Sequence, residues 1–163
     1  MQKKKKNKTT GLSNKTVLTD ASKFVMDVKL LNLNSSINKF FKNDSVDNLH
    51  SIRIALRRVR YSLEIFAICF NKKKYQALYK KLERLQDLSG SARDLDVLTL
   101  NMNKLKEQEK IPISKKIFES IEENKYNIKE DLKLELMQFI HSKSLKEFQS
   151  LLNIKKPTKG LYK

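Results

Sequence analysis

Apolar side chains recur three and four residues apart along most of the 163-residue chain, the spacing that places them on one face of an α-helix. Polar, glycine-containing or proline-containing segments interrupt this pattern and divide it into five or six predicted helices. Their approximate ranges are 20–42, 46–70, 73–88, 91–110, a long helix that begins after Ser114 and a short one near 144–152.

Several residues at these interruptions are of the types that begin or end helices. Gly90 is predicted to stop the third helix, because glycine is common just past a helix C-terminus. Residues that can cap a helix start are Asp44 or Ser45, Ser114, and Ser144 with Glu147 at capping-box spacing.

Composition favours helices over sheets. Three glycines and two prolines are too few for the tight turns of a β-sheet protein, and the sequence has no hairpin signal. We therefore predict an all-α fold, an antiparallel helical bundle, in one domain over 16–153. The lysine-rich segments 1–15 and 154–163 are expected to be a disordered tail and a basic tail. Cys69 lies in an apolar run and is expected to be a small buried side chain.

The formal net charge of +17 favours a polyanionic partner: nucleic acid, polyphosphate or an anionic membrane surface. Segment 1–15 carries +6, 154–163 carries +4 and 50–93 carries +8, so the rest of the domain sums to −1. All six arginines lie within 50–93. Arginine stays charged and binds two phosphate oxygens through its planar fork. Surface salt bridges are the alternative role, but 50–93 holds only three acids to form them.

The second predicted helix separates an apolar face from a basic one. At about 100° per residue, Ile52, Leu56 and Leu63 lie on one side, and a basic ridge lies on the neighbouring face. The basic ridge consists of His50, Arg53, Arg57 and Arg60, one turn apart, a spacing that suits successive phosphates of a linear chain. Arg58 lies off the ridge, and Glu64 lies on it, where we expect it to orient an arginine.

Two segments resemble the motifs of the CHAD family, the conserved histidine α-helical domains. Residues 50–61 (HSIRIALRRVRY) are similar to the family's signature helix, in which a histidine precedes an arginine and a basic cluster. Residues 85–97 (LQDLSGSARDLDV) are similar to the second motif, L-G-x-x-R-D-L-D-V. The motifs stand in the family's order and separation, and the resemblance extends over about 16–153, more loosely after Pro112.

This resemblance implies a non-enzymatic helical domain that binds inorganic polyphosphate, with a possible association with polyphosphate granules. The residues themselves call for no cofactor or metal. Because no apolar run is long enough to span a membrane, we expect a cytoplasmic protein without a membrane partner. By this resemblance, the residues expected to bind polyphosphate are His50, Arg53, Arg57, Arg60, Lys81, Arg84 and Arg93. We add their basic neighbours Arg58 and Lys80 to this set. CHAD domains usually contain two helical halves around a basic channel, whereas 98–163 holds no second His-x-x-Arg array. We therefore expect two copies to form a homodimer.

Other functions are open on the residues alone. The charge equally allows RNA or DNA binding, although Tyr61 is the one aromatic side chain on the ridge available for base stacking. An enzyme acting on phosphate esters is least favoured, because no metal cluster or nucleophile–base pair is visible. Asp94 and Asp96 are expected to begin a helix and orient basic groups; magnesium bridging them to phosphate is allowed but not required. His141 is expected at a helix end.

Overall fold

The structure is a computed structural model that describes residues 17–110 and 112–152, so the predicted tails 1–15 and 154–163 lie outside the described residues. Five α-helices and one short 3-10 turn form the fold, and these described ranges contain no β-strand. The elements are α1 (Leu18–Lys42), α2 (Val46–Ile65), the 3-10 turn Ala67–Cys69, α3 (Lys72–Gln108), α4 (Lys115–Ile140) and α5 (Lys143–Leu151). The predicted all-α fold is confirmed.

The core lies where α1, α2 and the first half of α3 pack together, with α4 and α5 covering α3. The apolar face predicted for α2 is buried, as the complete burial of Ile52, Leu56 and Leu63 indicates. The rings of Phe70 and Phe148 lie 4.9 Å apart and join the end of the 3-10 turn to α5. Burial of these faces supplies the main driving force for folding, since each fully buried side chain of this size contributes about 1.5–3 kcal/mol.

Past the core, α3 and α4 continue as a helical hairpin, which we call the arm (97–110 and 112–128). The buried core includes α3 only as far as Ala92 and α4 only from Leu132. In the arm, Leu98, Leu100 and Ile117 are 43%, 53% and 49% exposed. The apolar side chains of α4 are therefore buried only in its C-terminal part, at Leu132, Leu136 and Phe139.

Gly90 does not stop a helix, and this prediction was wrong. The third and fourth predicted helices are one continuous helix, α3, which passes through Gly90. Ser89 and Ala92, on either side of this glycine, are fully buried and keep the same face of the helix against the core. Such packing offsets the helix-propensity cost of glycine, which is about 1 kcal/mol.

The three predicted helix caps, at Ser45, Ser144 and Ser114, have three different outcomes. Ser45 caps α2, since its side chain accepts a hydrogen bond from the Asn48 N–H at 3.3 Å. The predicted capping box at Ser144 is absent, because α5 begins earlier and Ser142 accepts the Leu145 N–H instead. Ser114 lies at the N-cap position of α4 but makes no capping hydrogen bond with its side chain. His141 lies at the C-cap of α4, the helix end predicted for it.

The second helix also ends earlier than predicted. It stops at Ile65, and the 3-10 turn carries the chain across the end of the bundle to α3. Ile65 and Ile68 are 73% and 87% exposed, and Cys69 is half-buried rather than buried. The apolar run at 65–70 therefore packs against the core through Phe70, while Phe66 is half-buried.

Candidate anion-binding site

The basic ridge of α2 lies beside α3, and the two helices run antiparallel. Near one end, Tyr79 on α3 donates a hydrogen bond from its hydroxyl to Glu64 Oε1 on α2, at 2.7 Å. Toward the other end, the guanidinium of Arg53 lies against Gly90 of α3. The N-terminal part of α2 therefore lies beside the middle of α3, and the basic ridge faces the second motif.

An open pocket of about 350 Å³ lies between these two helices. It is lined by Arg53 and Arg57 from α2 and by Gln86, Asp87, Gly90, Ser91 and Asp94 from α3. Arg53 is half-buried and Arg57 is exposed. Being one helical turn apart, both guanidinium groups can contact neighbouring groups of one extended anion.

Gly90 allows Arg53 to approach α3 closely. A Cβ atom built on Gly90 would lie 2.9 Å from Arg53 Nη1 and 4.0 Å from its Cζ. The first distance is shorter than an ordinary van der Waals contact of about 3.5 Å. Any larger residue would therefore displace the guanidinium, so the glycine of the second motif positions an arginine of the first.

The charged groups lining the pocket are not paired with one another. Within the described residues, Arg53, Arg57, Asp87 and Asp94 form no ion pair. Ser91 donates its hydroxyl hydrogen bond to the Asp87 backbone carbonyl at 3.2 Å and leaves the carboxylates free. The two arginines are therefore available to bind a ligand.

Arg60 lies at the tyrosine end of the ridge and is already held within the protein. Its Nε is 3.3 Å from Glu64 Oε1, which makes the ion pair expected of Glu64, although the geometry does not form a hydrogen bond. The Arg60 guanidinium carbon is also 5.8 Å from the Tyr61 ring and 5.9 Å from the Tyr79 ring, within the range of cation–π attraction. The hydrogen bond to Glu64, with burial, raises the pKa of Tyr79, so that its hydroxyl stays protonated as a donor.

The remaining predicted ligand residues are arranged less uniformly. On α2, His50 and Arg58 are exposed and do not line the pocket. On α3, Lys80 and Lys81 are exposed and Arg93 is half-buried, and none of them lines the pocket. Arg84 binds Glu135 of α4 at 2.6 Å, on the side of α3 that contacts α4. The pocket therefore gathers two of the nine predicted residues, Arg53 and Arg57.

Asp94 and Asp96 have separate roles, and neither begins a helix. Two residues apart in the middle of α3, they point to different sides of it, about 200° apart. Asp94 is exposed at the pocket, whereas the Asp96 side chain is 2% exposed and lies 3.0 Å from the Lys125 ammonium of α4. This ion pair, opposed by burial, raises the pKa of Lys125. A magnesium ion bridging these two acids, which the sequence allowed without requiring it, is therefore excluded by their geometry.

Sequence reasoning missed the part of α3 that completes the pocket. Asp87, Ser91 and Asp94 are spaced four and three residues apart, so they share one face of the helix with Gly90. This spacing was visible in the second motif, but the predicted helix break at Gly90 concealed it. No group of three or more metal-binding side chains occurs in the described ranges.

Helices long and apolar enough to cross a membrane are also absent from the described part of the chain.

The comparisons with known proteins agree with the two motifs. The sequence model of the CHAD domain matches residues 25–161, which include all of α2 and α3. No curated protein and no solved structure matches the chain. Because the family match spans most of the 163 residues and contains the whole pocket, the chain belongs to the CHAD domain family.

Proposed function

We propose that this protein binds inorganic polyphosphate, without catalysis, in the pocket between α2 and α3. The observation that supports this most strongly is the pair of unpaired arginines, Arg53 and Arg57, one turn apart in an open pocket. The CHAD domain family is associated with polyphosphate binding, and the pocket is formed by the residues of the family's two motifs.

Polyphosphate fits these two arginines because it presents anionic oxygens at short, regular intervals along a flexible chain. Each guanidinium can bind two oxygens of one phosphate, and such charge-assisted hydrogen bonds are roughly twice as strong as neutral ones. Arg58, Lys80 and Lys81 are exposed on the same two helices and would add long-range attraction to a polymer that extends beyond the pocket. Binding of this kind requires no reacting group in the protein.

Nucleic acid is the competing polyanion, and the tyrosines bear on it. Tyr79 is held by Glu64, and Tyr75 is stacked on Tyr79 with ring centroids 5.6 Å apart. Tyr61, which is 48% exposed, is then the remaining aromatic side chain near the ridge for a base to stack on. Single-stranded nucleic acid binding uses several such stacking surfaces in succession, which favours polyphosphate here.

A direct competition tests the proposal. Long-chain polyphosphate, tRNA and duplex DNA are titrated into the purified protein at equal phosphate concentration and moderate salt. We expect polyphosphate to bind most tightly, with an affinity that falls steeply as salt is added, because binding releases counterions. Equal or tighter binding of either nucleic acid would falsify the polyphosphate assignment and support the nucleic-acid alternative.

Polyphosphate binding also predicts where the protein is found. In a cell that accumulates the polymer, a fluorescent fusion should collect in the cytoplasm at polyphosphate granules. A fusion that stays evenly distributed while granules are present would contradict this part of the proposal.

We propose in addition that two copies associate. The α3 half of the arm carries apolar residues on one face that a second copy could cover. They are Val97, Leu98 and Leu105, which are 37%, 43% and 37% exposed. Burying them between two copies would remove apolar area from water. Sedimentation equilibrium at micromolar concentration should give the mass of a dimer, whereas a strictly monomeric protein would count against association.

A further inference from the structure

The most exposed large apolar side chains of the described residues lie at the end of the bundle where α2 gives way to α3. Ile65 is the last residue of α2 and is 73% exposed, and Ile68 lies in the 3-10 turn and is 87% exposed. Scattered exposed apolar residues are ordinary on a protein surface. Two such large side chains three residues apart, both turned almost fully into solvent, instead indicate a surface that contacts another molecule.

The start of α1 lies at the same end of the bundle. A three-residue connection joins α1 to α2, the two helices pack side by side in opposite directions, and α1 also contacts the 3-10 turn. At the beginning of α1, Val17 and Leu18 are 65% and 53% exposed. We call this end of the bundle the tip and define it by Val17, Leu18, Ile65, Ile68 and the three lysines 72–74.

The apolar side chains of the tip are accompanied by positive charge. Lys72, Lys73 and Lys74 follow the 3-10 turn, and none of them forms an ion pair within the described residues. Next to Ile65 on α2, Glu64 is already paired with Arg60. The lysine-rich segment 1–15, which carries +6, is joined to the chain directly before α1 and so adds its charge at the same end.

Exposed apolar side chains beside unpaired lysines suit the surface of a bilayer that contains anionic lipids. Acidic headgroups attract lysines close to the surface. Protruding apolar side chains enter the boundary between headgroups and acyl chains. Since one weak apolar anchor gives only reversible attachment, a basic patch beside it supplies the second signal that stable attachment requires.

Other occupants of the tip are less compatible with its charge and shape. A second copy in a two-fold contact would bring the lysines of one tip against those of the other, and like charges oppose such an interface. A protein partner of ordinary size covers about 800 Å² with a complementary surface. Side chains as exposed as Ile65 and Ile68 protrude instead, and fluid lipids adapt to protruding groups.

We propose that the tip docks this protein on anionic lipid membranes, with Ile65 and Ile68 inserted at the headgroup level and Lys72 and Lys73 on lipid phosphates. The expectation of no membrane partner rests on the absence of a spanning segment, which docking on the surface does not need. Arg53 precedes Ile65 by 12 residues on α2, about 18 Å along the helix axis, so the pocket stays clear of the bilayer. The inference therefore does not depend on what the pocket binds.

Insertion can be observed directly, because the sequence contains no tryptophan. Ile68→Trp in the full chain is mixed with phosphatidylcholine vesicles, with or without about one third phosphatidylserine. We expect the fluorescence to shift to shorter wavelength only with the anionic vesicles, and brominated lipid to quench it. Tyr126→Trp is the control, since this 66%-exposed position lies in the arm, at the opposite end of α3 from the tip, and its fluorescence should not respond.

Co-sedimentation with the same anionic vesicles measures the apolar contribution. Ile65→Ser/Ile68→Ser should lose about tenfold or more in membrane affinity, because two large apolar side chains no longer leave water. Leu31→Ser/Leu134→Ser makes the same chemical change at positions that are 61% and 57% exposed on α1 and α4, and it should bind like the wild type. Both variants should keep the polyphosphate affinity of the wild type.

A matched pair of variants measures the charge contribution. Lys72→Ala/Lys73→Ala should lose about tenfold or more in membrane affinity. Lys39→Ala/Lys42→Ala removes the same charge from the other end of α1 and should lose clearly less.

Three results would overturn the inference: anionic vesicles that bind no wild-type protein, an Ile65→Ser/Ile68→Ser protein that binds them as tightly as the wild type, or Ile68→Trp fluorescence that does not shift. Wild-type dimers that dissociate on Ile65→Ser/Ile68→Ser substitution would also overturn it and assign the tip to a second copy. Vesicle binding without polyphosphate binding would leave the inference standing and overturn only the proposed function.

Discussion

Replacing Gly90 with alanine should change stability and ligand binding in opposite directions. Glycine in the middle of a helix is about 1 kcal/mol less favourable than alanine. The added Cβ would lie 2.9 Å from Arg53 Nη1, the outer end of a flexible side chain that can move away at little cost. We therefore expect Gly90→Ala to stabilise the fold by about 0.5–1 kcal/mol, which raises Tm by about 1–4 °C in a protein of this size.

Binding should weaken because the displaced guanidinium no longer holds the position in the pocket from which it would contact the ligand. To restore an ordinary contact distance of about 3.5 Å, Arg53 must move by roughly half an ångström or more. Loss of one hydrogen bond from a charged group costs about 1.5–3 kcal/mol, which corresponds to about tenfold to a hundredfold in the dissociation constant. Thermal unfolding followed by circular dichroism and titration of labelled polyphosphate measure the two effects on the same sample.

A control and a double-mutant cycle make this prediction specific. Asn101→Ala, on an exposed face of α3 in the arm, should raise stability without changing affinity. In an Arg53→Ala background, Gly90→Ala should have no further effect on binding, since the residue through which it acts is gone. A Gly90→Ala protein that binds polyphosphate like the wild type would refute the positioning of Arg53 by Gly90, as would an equal loss in the Arg53→Ala background.

Three further predictions concern ion pairs away from the pocket. Lys125→Met should lower the free energy of unfolding in urea by about 3 kcal/mol, because it leaves the buried carboxylate of Asp96 without its cation. The double variant Asp96→Leu/Lys125→Met should recover most of that loss. An equal loss in the single and the double variant would contradict the pairing. Lys133 Nζ lies 3.0 Å from Asp44 Oδ2, and this contact lowers the pKa of Asp44. Asp44→Asn should therefore lower the stability of the fold by up to about 1 kcal/mol at pH 7. The difference in stability between wild type and variant should vanish as the pH falls below about 4, where Asp44 becomes protonated. A difference that persists at pH 2 would exclude the ion pair as its cause. Arg84→Ala should weaken polyphosphate binding much less than Arg57→Ala, because Arg84 is bound to Glu135; equal losses would place Arg84 in the ligand's path.

The features predictable from the sequence were those encoded within one helix. On α2, periodicity alone separated Ile52, Leu56 and Leu63 from the arginines, and these three residues are buried as predicted. Glu64 was correctly expected to orient an arginine, because Arg60 is one turn away on the same face. The family resemblance then linked α2 to the second motif, which forms the opposite wall of the pocket.

What could not be predicted depends on contacts between helices. Gly90 has the local character of a helix stop, and only the approach of Arg53 from α2 explains a glycine inside α3. Arg84 resembles the other arginines in sequence, but its partner Glu135 lies on α4. Asp96 likewise differs from Asp94 only through Lys125, since its burial depends on how α4 crosses α3. A single sequence carries no signal for such pairings, because each depends on tertiary packing.

The central claim is that the pocket between α2 and α3, rather than general basicity, binds polyphosphate. Segment 1–15 alone carries +6 and provides a strong rival site. The most direct measurement compares the polyphosphate affinity of Arg53→Ala/Arg57→Ala, which removes two charges from the pocket, with that of a protein lacking residues 1–11. We predict a loss of about a hundredfold or more for the pocket variant, one lost charge-assisted contact at each arginine, and a smaller loss for the truncated protein. Binding that survives the two substitutions but disappears with the first 11 residues would contradict the claim and place the site in the tail.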